Sequence, residues 1–343
     1  VTKTVSKIAI LGAGNWGTTL ALLLDTRDLE IALWTKDSEM ATAINKAGEN
    51  TQFLPGYPLP KRIKVSENLE SCVTNADIVL FVLPTPVVRS VARLLHDFLG
   101  KETILVTATK GIERNTGQRI SSIISEETGS TNPIVVLSGP NIAPEIVQRM
   151  PASAVAASDC PESAEIVQRA FSTPWFRVYT NSDVIGVEYG GALKNIIAIG
   201  AGSVSGMGFG DNTKSALITR GLAEMTRFGV FFGANPFTFL GLAGLGDLVA
   251  TCASPLSRNH RCGRLLAQSI PLQDIEQQIG MVAEGINTTA SVYSVAREND
   301  ISMPVTEELY EVLFNGRNIK TAIQNLMERT LRSEDEFSGI LKQ

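Results

Sequence analysis

The sequence predicts an α/β protein in two parts: a doubly wound parallel sheet followed by an all-helical domain. Three observations carry this. Short, almost continuously apolar runs alternate with helical stretches through the first half. A glycine-rich turn, Gly12-Ala13-Gly14-Asn15-Trp16-Gly17, lies between the first run and the first helical stretch. After about Asn181 strand-like runs nearly vanish and long helical windows take over.

The runs are Ile8–Leu11, Ile31–Trp34, Ile78–Leu83, Ile104–Val106 and Ile134–Leu137. They are rich in Val, Ile and Leu with little alternation, as in strands covered on both faces by helices. Between them Thr18–Leu24, Val87–Phe98 and Gly117–Glu126 read as helices. Strand–helix repetition of this kind implies right-handed crossovers and a parallel sheet. Two further runs, Ser153–Ala157 and Trp175–Tyr179, flank a helix at Pro161–Phe171 and extend the sheet at its edge, in a direction the sequence leaves open. Thr213–Phe228 places Leu217, Gly221, Leu222, Met225 and Phe228 on one stripe. Asn235-Pro236 reads as an N-cap followed by proline at the first helical position. Thr288–Arg297, Glu307–Phe314 and Asn318–Arg329 are further helices, and the polar Ser333–Gln343 is expected to be loosely held. The expected domains are residues 1–180 and 181–343.

Composition excludes several classes. The chain has 343 residues, 44% hydrophobic and 19% charged, which suits two globular domains and rules out disorder. A net charge of −5 predicts no general attraction to nucleic acid or anionic lipid, so an anionic ligand must be caught by a few local cations. The four cysteines form no C-x-x-C pair, which fits a reducing, cytoplasmic setting. With two histidines and no H-E-x-x-H, no metal site is expected. No apolar run approaches the ~20 residues of a membrane helix, and the first strand near Lys7 predicts no signal or transit peptide.

The glycine turn carries the first functional signal. G-x-G-x-x-G directly after a strand and opening a helix is the context of a dinucleotide fingerprint. Gly12 allows the tight turn, Gly14 lets a diphosphate approach the backbone, and Gly17 lets helix pack on strand. The diphosphate would rest on helix N–H groups at the positive dipole end. The second strand ends in Thr35-Lys36-Asp37. Asp37 lies about twenty residues after Gly17, as an acid on the ribose diol should, whereas Lys36 nearer the tip suits a 2′-phosphate. The pair predicts use of NADP or NAD, with Lys36 favouring NADP.

Ligands of such sheets bind beyond the carboxyl ends of the strands. One tip reads Thr107-Ala108-Thr109-Lys110-Gly111, so Lys110 could neutralise a phosphate or polarise a carbonyl. Another reads Ser138-Gly139-Pro140-Asn141-Ile142-Ala143, where Gly139 admits close approach to the backbone and Asn141 offers an amide. In the helical part, Gly186–Asn195 is expected to be helical although each glycine costs about 1 kcal/mol against alanine. Lys194 shares a face there with Gly190, Gly191, Ala198 and Ala201. Small neighbours leave room for a ligand, and poor solvation lowers the pKa of an ammonium. Gly244-Leu245-Gly246-Asp247-Leu248 reads as a turn with a single acid. Ser257-Arg258-Asn259 reads as a polar loop matched to a phosphate monoester. His260 is expected to be a solvated loop residue and His96 to be structural.

These motifs, in this order, resemble those of the soluble bacterial NAD(P)-dependent glycerol-3-phosphate dehydrogenases, over about Ser6 to Arg329. The resemblance implies a Rossmann domain followed by a helical domain like that of 6-phosphogluconate dehydrogenase. It implies reversible hydride transfer between NAD(P)H and dihydroxyacetone phosphate, giving sn-glycerol 3-phosphate for glycerophospholipid synthesis. By resemblance Lys194 is the proton acceptor in the oxidative direction, and Lys110 touches substrate and cofactor. Gly139, Asn141, Asp247, Ser257, Arg258 and Asn259 line the substrate site together with Lys110 and Lys194. Asn15, Trp16, Lys36, Ala143, Arg258, Val282 and Glu284 are the implied cofactor contacts, beside Gly12, Gly14, Gly17 and Lys110. Many bacterial members carry Ser or Thr where Asn141 stands, and a serine is commoner at Asn15. The family also implies a cytoplasmic homodimer without membrane insertion.

Mechanistically, an ammonium at Lys194 would stabilise charge growing on the ketone oxygen and deliver a proton. Burial and a second cation such as Lys110 would lower its pKa, while Asp247 would orient it and oppose that lowering. Arg258 would hold the phosphate, and a cleft between the domains would keep water out. Two rival readings are a two-domain dehydrogenase of a small hydroxy acid and a non-catalytic dinucleotide sensor. A carboxylate substrate would not require Lys110 and Arg258 together, and a sensor needs no buried lysine.

Overall fold

The computed structural model describes residues 4–25, 28–114, 116–279, 283–331 and 333–334. The chain divides into two compact units: residues 1–109 with 120–184, and residues 110–119 with 185–343. The segment 110–119 therefore leaves the first unit and belongs to the second, which the reading of residues 1–180 as one block did not anticipate.

The first unit is an eight-stranded sheet. Its strands are β1 (Lys7–Leu11), β2 (Glu30–Trp34), β3 (Ile63–Ser66), β4 (Ile78–Phe81), β5 (Ile104–Thr107), β6 (Ile134–Ser138), β7 (Ala152–Ala157) and β8 (Phe176–Asn181). Their order is β3-β2-β1-β4-β5-β6-β7-β8. The first six run parallel, β7 pairs antiparallel with β6, and β8 runs parallel to β7. The order reverses between β1 and β4, where Ile8 faces Ile78 and Leu11 faces Phe81. A reversal of this kind opens a crevice at the carboxyl ends of the two strands.

Around the sheet lie α1 (Asn15–Leu24), α2 (Ser38–Ala47), α3 (Leu69–Val73), α4 (Thr85–Leu94), α5 (Ile120–Thr128), α6 (Ala143–Val147) and α7 (Pro161–Phe171). Ile8, Ile10, Leu33 and Leu80 feed one core, and Ala9, Leu11, Phe81 and Leu105 the other. Strands buried on both faces account for their nearly continuous apolarity. Several elements differ from the sequence reading: β3, α2, α3 and α6 were not expected, α1 starts at Asn15 rather than Thr18, and α4 ends at Leu94 rather than Phe98. The first turn of α4 accommodates Pro86 and so starts before Val87. The expected helix at Gly117–Glu126 begins only at Ile120, because Gly117 has φ +68° and an antiparallel bridge joins Ile112 to Arg119.

The second unit is built around α8 (Val184–Gly206) and α9 (Asp211–Phe231). A 3-10 helix at Pro236–Leu240, capped by Asn235, leads into a π-helical turn at Leu242–Gly246. Then follow α10 (Asp247–Ala253), α11 (Arg258–Leu266), α12 (Leu272–Ile279), α13 (Glu284–Glu298), α14 (Pro304–Phe314) and α15 (Ile319–Met327). Of the polar terminal stretch, all but Ser333 and Glu334 lies outside the described residues.

Two glycines of α8, Gly190 and Gly202, are explained by backbone packing. A Cβ at Gly190 would lie 2.6 Å from the carbonyl oxygen of Ala243, and one at Gly202 would lie 2.0 Å from that of His260. From α11, a Cβ at Gly263 would meet the Ile199 oxygen at 1.9 Å. Helix propensity is given up so that the π-helical turn and α11 can press against α8. By length and composition α8 is apolar enough to cross a membrane, contrary to the expectation that no run is. Here 89% of that window is buried within the protein.

A carboxylate closes the far side of the unit. Glu224 of α9 is buried and accepts hydrogen bonds from Val305 N (2.6 Å), Thr306 N (3.2 Å) and Thr306 Oγ1 (3.2 Å). It caps α14, which begins at Pro304 and has no side-chain cap of its own. Burial pushes the Glu224 carboxyl up to about 7, against the opposing pull of those donors. A raised folded-state pKa means that this group's contribution to stability is complete below the ordinary carboxylate range and is lost as pH rises through about 7. In urea unfolding at pH 5 and pH 8, Glu224→Gln should therefore lose relative to wild type by roughly 2–3 kcal/mol more at pH 5 than at pH 8. An equal difference at the two pH values would contradict the assignment.

Candidate active site

The site grows from the approach of the π-helical turn to α8. Gly190 lets the Ala243 carbonyl against the helix one turn before Lys194. The turn delivers Asp247 to the first position of α10, where its carboxylate faces that lysine. Asp247 thus sits on a helix rather than in the turn that the sequence suggested. Its side chain is 2% exposed.

Two ammonium groups share this carboxylate. Lys194 Nζ lies 2.6 Å from Oδ1, and Lys110 Nζ lies 2.6 Å from Oδ2. Lys194 also donates to Thr251 Oγ1 at 2.6 Å, and Thr251 donates onward to Asp247 Oδ1 at 3.1 Å. Thr251 was missed in the sequence. Its signal is the i, i+4 spacing from Asp247, visible only once α10 is recognised as a helix. Lys110 reaches Asp247 because the segment 110–119 belongs to the helical unit.

The Lys194 side chain is 8% exposed. Burial lowers its pKa to about 8, with Lys110 acting in the same direction and Asp247 opposing. The Cys252 thiol next to Thr251 is pushed up to about 12 by burial, so it stays protonated and is no nucleophile at neutral pH.

A second chain of contacts ties the surrounding helices together. Asn195 Oδ1 accepts from Asn259 Nδ2 at 2.9 Å, and Asn259 Oδ1 accepts from Gly285 N at 3.0 Å. Asn259 is therefore a buried brace between α8 and the start of α13. Ser257 is the N-cap of α11, accepting from His260 N at 3.3 Å, and Arg258 is the first residue of that helix. The expected loop at 257–259 is thus a helix start. His260 is buried rather than solvated, with its pKa lowered first by that burial. Glu284 opens α13; burial raises its carboxyl, opposed by the charges of Arg258, Lys110 and Lys194. His96 is exposed and pairs with Asp97 at 3.0 Å. Val282 lies outside the described residues.

The remaining predicted residues belong to the first unit. A Cβ at Gly12 would fall 2.3 Å from Val82 O, and one at Gly17 would fall 1.8 Å from Gly12 O. At Gly14 nothing lies within 4 Å of such an atom. The outer glycines are thus required by packing, whereas Gly14 faces open space at the head of α1, which has no side-chain cap. Open space beside uncapped helix N–H groups fits a dinucleotide diphosphate. Asn50, also missed, braces this turn by donating to Ala13 O and Thr18 Oγ1, both at 2.8 Å. Asn15 donates to Phe53 O at 2.7 Å, and Trp16 packs against the core of the sheet. Lys36 is exposed after β2, while Asp37 caps α2 by accepting from Met40 N at 3.0 Å. That cap occupies one oxygen of the acid expected on the ribose.

Gly139 follows β6 at φ +145°, and a Cβ there would come within 2.9 Å of Ala154 Cα and Ser153 O. Packing on β7 accounts for this glycine. Asn141 donates to Ser153 O at 3.0 Å, and Ala143 is buried at the start of α6. Among the described residues no group of three His, Cys, Asp or Glu side chains could hold a metal ion.

Comparison with known proteins identifies the family. The profile of the NAD-dependent glycerol-3-phosphate dehydrogenase N-terminus matches residues 7–164, and that of the C-terminus matches residues 183–324. A glycerol-3-phosphate dehydrogenase (NAD(P)+) of Pediococcus pentosaceus is 46% identical over 97% of this chain and 100% of its own. One of Bacillus subtilis is 45% identical over 97% of both chains. The crystal structure of glycerol-3-phosphate dehydrogenase from Coxiella burnetii superposes with a TM-score of 0.91 at 35% identity, covering 95% of this chain and 99% of that one. A ketopantoate reductase from Ralstonia eutropha, at a TM-score of 0.56 and 14% identity, shares the fold alone. With both halves matched, the chain belongs to the NAD-dependent glycerol-3-phosphate dehydrogenase family.

Proposed function

We propose that this chain interconverts dihydroxyacetone phosphate and sn-glycerol 3-phosphate with NADP or NAD. The observation that carries the reading is the buried Lys194 ammonium, held by Asp247 beside Lys110. The bound dinucleotide supplies or accepts the hydride. Gly12, Gly14, Asn15, Trp16, Gly17, Lys36, Lys110, Ala143, Arg258 and Glu284 are the residues proposed to hold it. Exposed Lys36 and the capping engagement of Asp37 favour a 2′-phosphate.

Lys194 acts on the substrate oxygen. In the reductive direction its ammonium stabilises the charge growing there and gives up one proton, which solvent later restores. In the oxidative direction the neutral amine takes that proton. A value of about 8 leaves the group mostly charged at neutral pH yet able to lose its proton within reach of working conditions. Asp247 and Thr251 fix the ammonium by hydrogen bonds, so its direction is set before substrate arrives. Lys110 adds positive charge against the same oxygen or the substrate phosphate. Arg258, beside the cap Ser257 at the head of α11, is proposed to grip the phosphate by charge-assisted hydrogen bonds. Asn259 holds α8 and α13 in place. Gly139 and Asn141, which follow β6, are proposed as further substrate contacts.

We further propose a cytoplasmic homodimer that supplies glycerophospholipid synthesis. Glycerol 3-phosphate is the backbone of those lipids. Four unpaired cysteines fit a reducing compartment. Phe231, Phe237 and Leu240, exposed on neighbouring elements, offer apolar surface to a second copy.

Oxidation of the reduced cofactor with dihydroxyacetone phosphate, followed at 340 nm, tests the reading directly, and no turnover would sink it. Lys194→Ala should lower kcat by at least about a thousandfold while cofactor affinity stays within a few-fold. Near-normal turnover would remove Lys194 from the chemistry. Arg258→Ala should mainly raise KM for the phosphorylated substrate, and an unchanged KM would remove it from the phosphate site. Because the ammonium is the acid, reduction should decline as pH rises through about 8 and oxidation should climb over the same range. Parallel profiles in the two directions would contradict the assignment.

A further inference from the structure

The position of Lys110 poses a physical problem. The lysine comes from a segment whose two ends continue into β5 and α5, and only residues 110–119 enter the helical unit. Its ammonium must nonetheless be held against Asp247. The excursion is a narrow hairpin: Ile112 bridges Arg119, Glu113 N donates to Gln118 O at 3.0 Å, and Gly117 N donates to Glu113 O at 2.9 Å. Gly117 is left-handed there, and a Cβ on it would come within 2.6 Å of Val295 Cγ2. Ile112 is buried in the helical core, and its carbonyl accepts from Ser291 Oγ at 3.3 Å.

One contact stands out from this packing. Arg119 Nη1 lies 2.9 Å from Glu188 Oε2, and the Glu188 side chain is only 3% exposed. Glu188 is on α8, six residues before Lys194, which is about 9 Å along one rigid helix. Arg119 lies directly across the bridge from Ile112, two residues from Lys110. A carboxylate this deeply buried is not justified by stability, since an apolar pair of similar volume would serve as well. A charge-assisted hydrogen bond is directional where an apolar contact can slide.

We infer that the Arg119–Glu188 pair is a positioning device for Lys110, which references the Lys110 loop to the same helix that carries Lys194 and so fixes the spacing of the two ammonium groups on Asp247. The inference rests on the proposed roles of Lys110 and Lys194. Neither Arg119 nor Glu188 touches the reacting atoms; they act through the hairpin.

The test is a kinetic cycle on the full-length enzyme with Glu188→Gln, Lys110→Ala and the double variant. Glu188→Gln should lower kcat about 10- to 100-fold, the cost of a small misplacement of a reacting group, with dinucleotide Kd within about twofold. The groups around Lys194 are Asp247, Lys110, Glu284 and the Cys252 thiol. Of these only Lys110 is cationic, so its drift should move the pH midpoint upward in Glu188→Gln. A merely structural role would leave that midpoint in place. In the Lys110→Ala background, Glu188→Gln should cost less than about twofold more, because the group it positions is gone. Arg119→Lys, which keeps the charge but loses the fork, should fall between wild type and Glu188→Gln, and reads the same pair should Glu188→Gln fail to fold. Crippled Lys110→Ala with unimpaired Glu188→Gln, or fully multiplicative losses in the double variant, would overturn this inference alone. Normal turnover in Lys110→Ala would overturn the catalytic reading and this inference with it.

Discussion

One carboxylate with an ammonium on each oxygen is the constraint on which the helical unit depends. Lys194 and Lys110 would repel each other at this separation, and burial makes each charge costly. Asp247 offsets both effects, and Thr251 satisfies a further donor on Lys194. The balance leaves Lys194 at about 8, low enough to release a proton and high enough to carry one. Much of the surrounding architecture serves that balance. Gly190 admits the π-helical turn that carries Asp247, and the 110–119 hairpin brings in Lys110.

The sheet unit follows a different logic, in which shape matters more than charge. Gly12 and Gly17 are glycine because backbone occupies the space of a side chain, and Gly14 is glycine where a ligand would need it. Asn50 braces the turn from a separate part of the chain. The contrast lies in the means: backbone geometry shapes the glycine turn of one unit, and a few titratable groups make up the Lys194–Asp247–Lys110 cluster of the other.

The parallel sheet, the glycine turn and Lys194 were legible in the sequence because each leaves a local signature. Continuous apolar runs mark doubly covered strands, and small residues beside a lysine mark a buried ammonium. The readings that failed share one cause, dependence on partners far along the chain. The glycine-rich Leu242–Gly246 was read as a turn because glycines signal turns locally, yet packing on α8 winds it into a π-helical turn and places Asp247 on a helix. Ser257-Arg258-Asn259-His260 has no apolar periodicity, so neither the helix start nor the burial of His260 was visible. Nothing local announces that residues 110–119 leave one unit for the other, or that Glu224 caps a helix eighty residues on. At Gly139 the sequence shows room for a ligand but not the neighbouring strand β7, whose Ser153 and Ala154 backbone also requires a glycine there.

Lys194 is a buried amine that titrates near 8 because burial and Lys110 outweigh Asp247. The most direct measurement is the pH dependence of Lys194 modification by an amine reagent, read by mass spectrometry of its peptide, in wild type and in Asp247→Asn. The expected midpoint is near 8 in the wild type and moves to lower pH once the carboxylate is gone. A midpoint in the ordinary lysine range near 10.4, or one indifferent to Asp247, would contradict it.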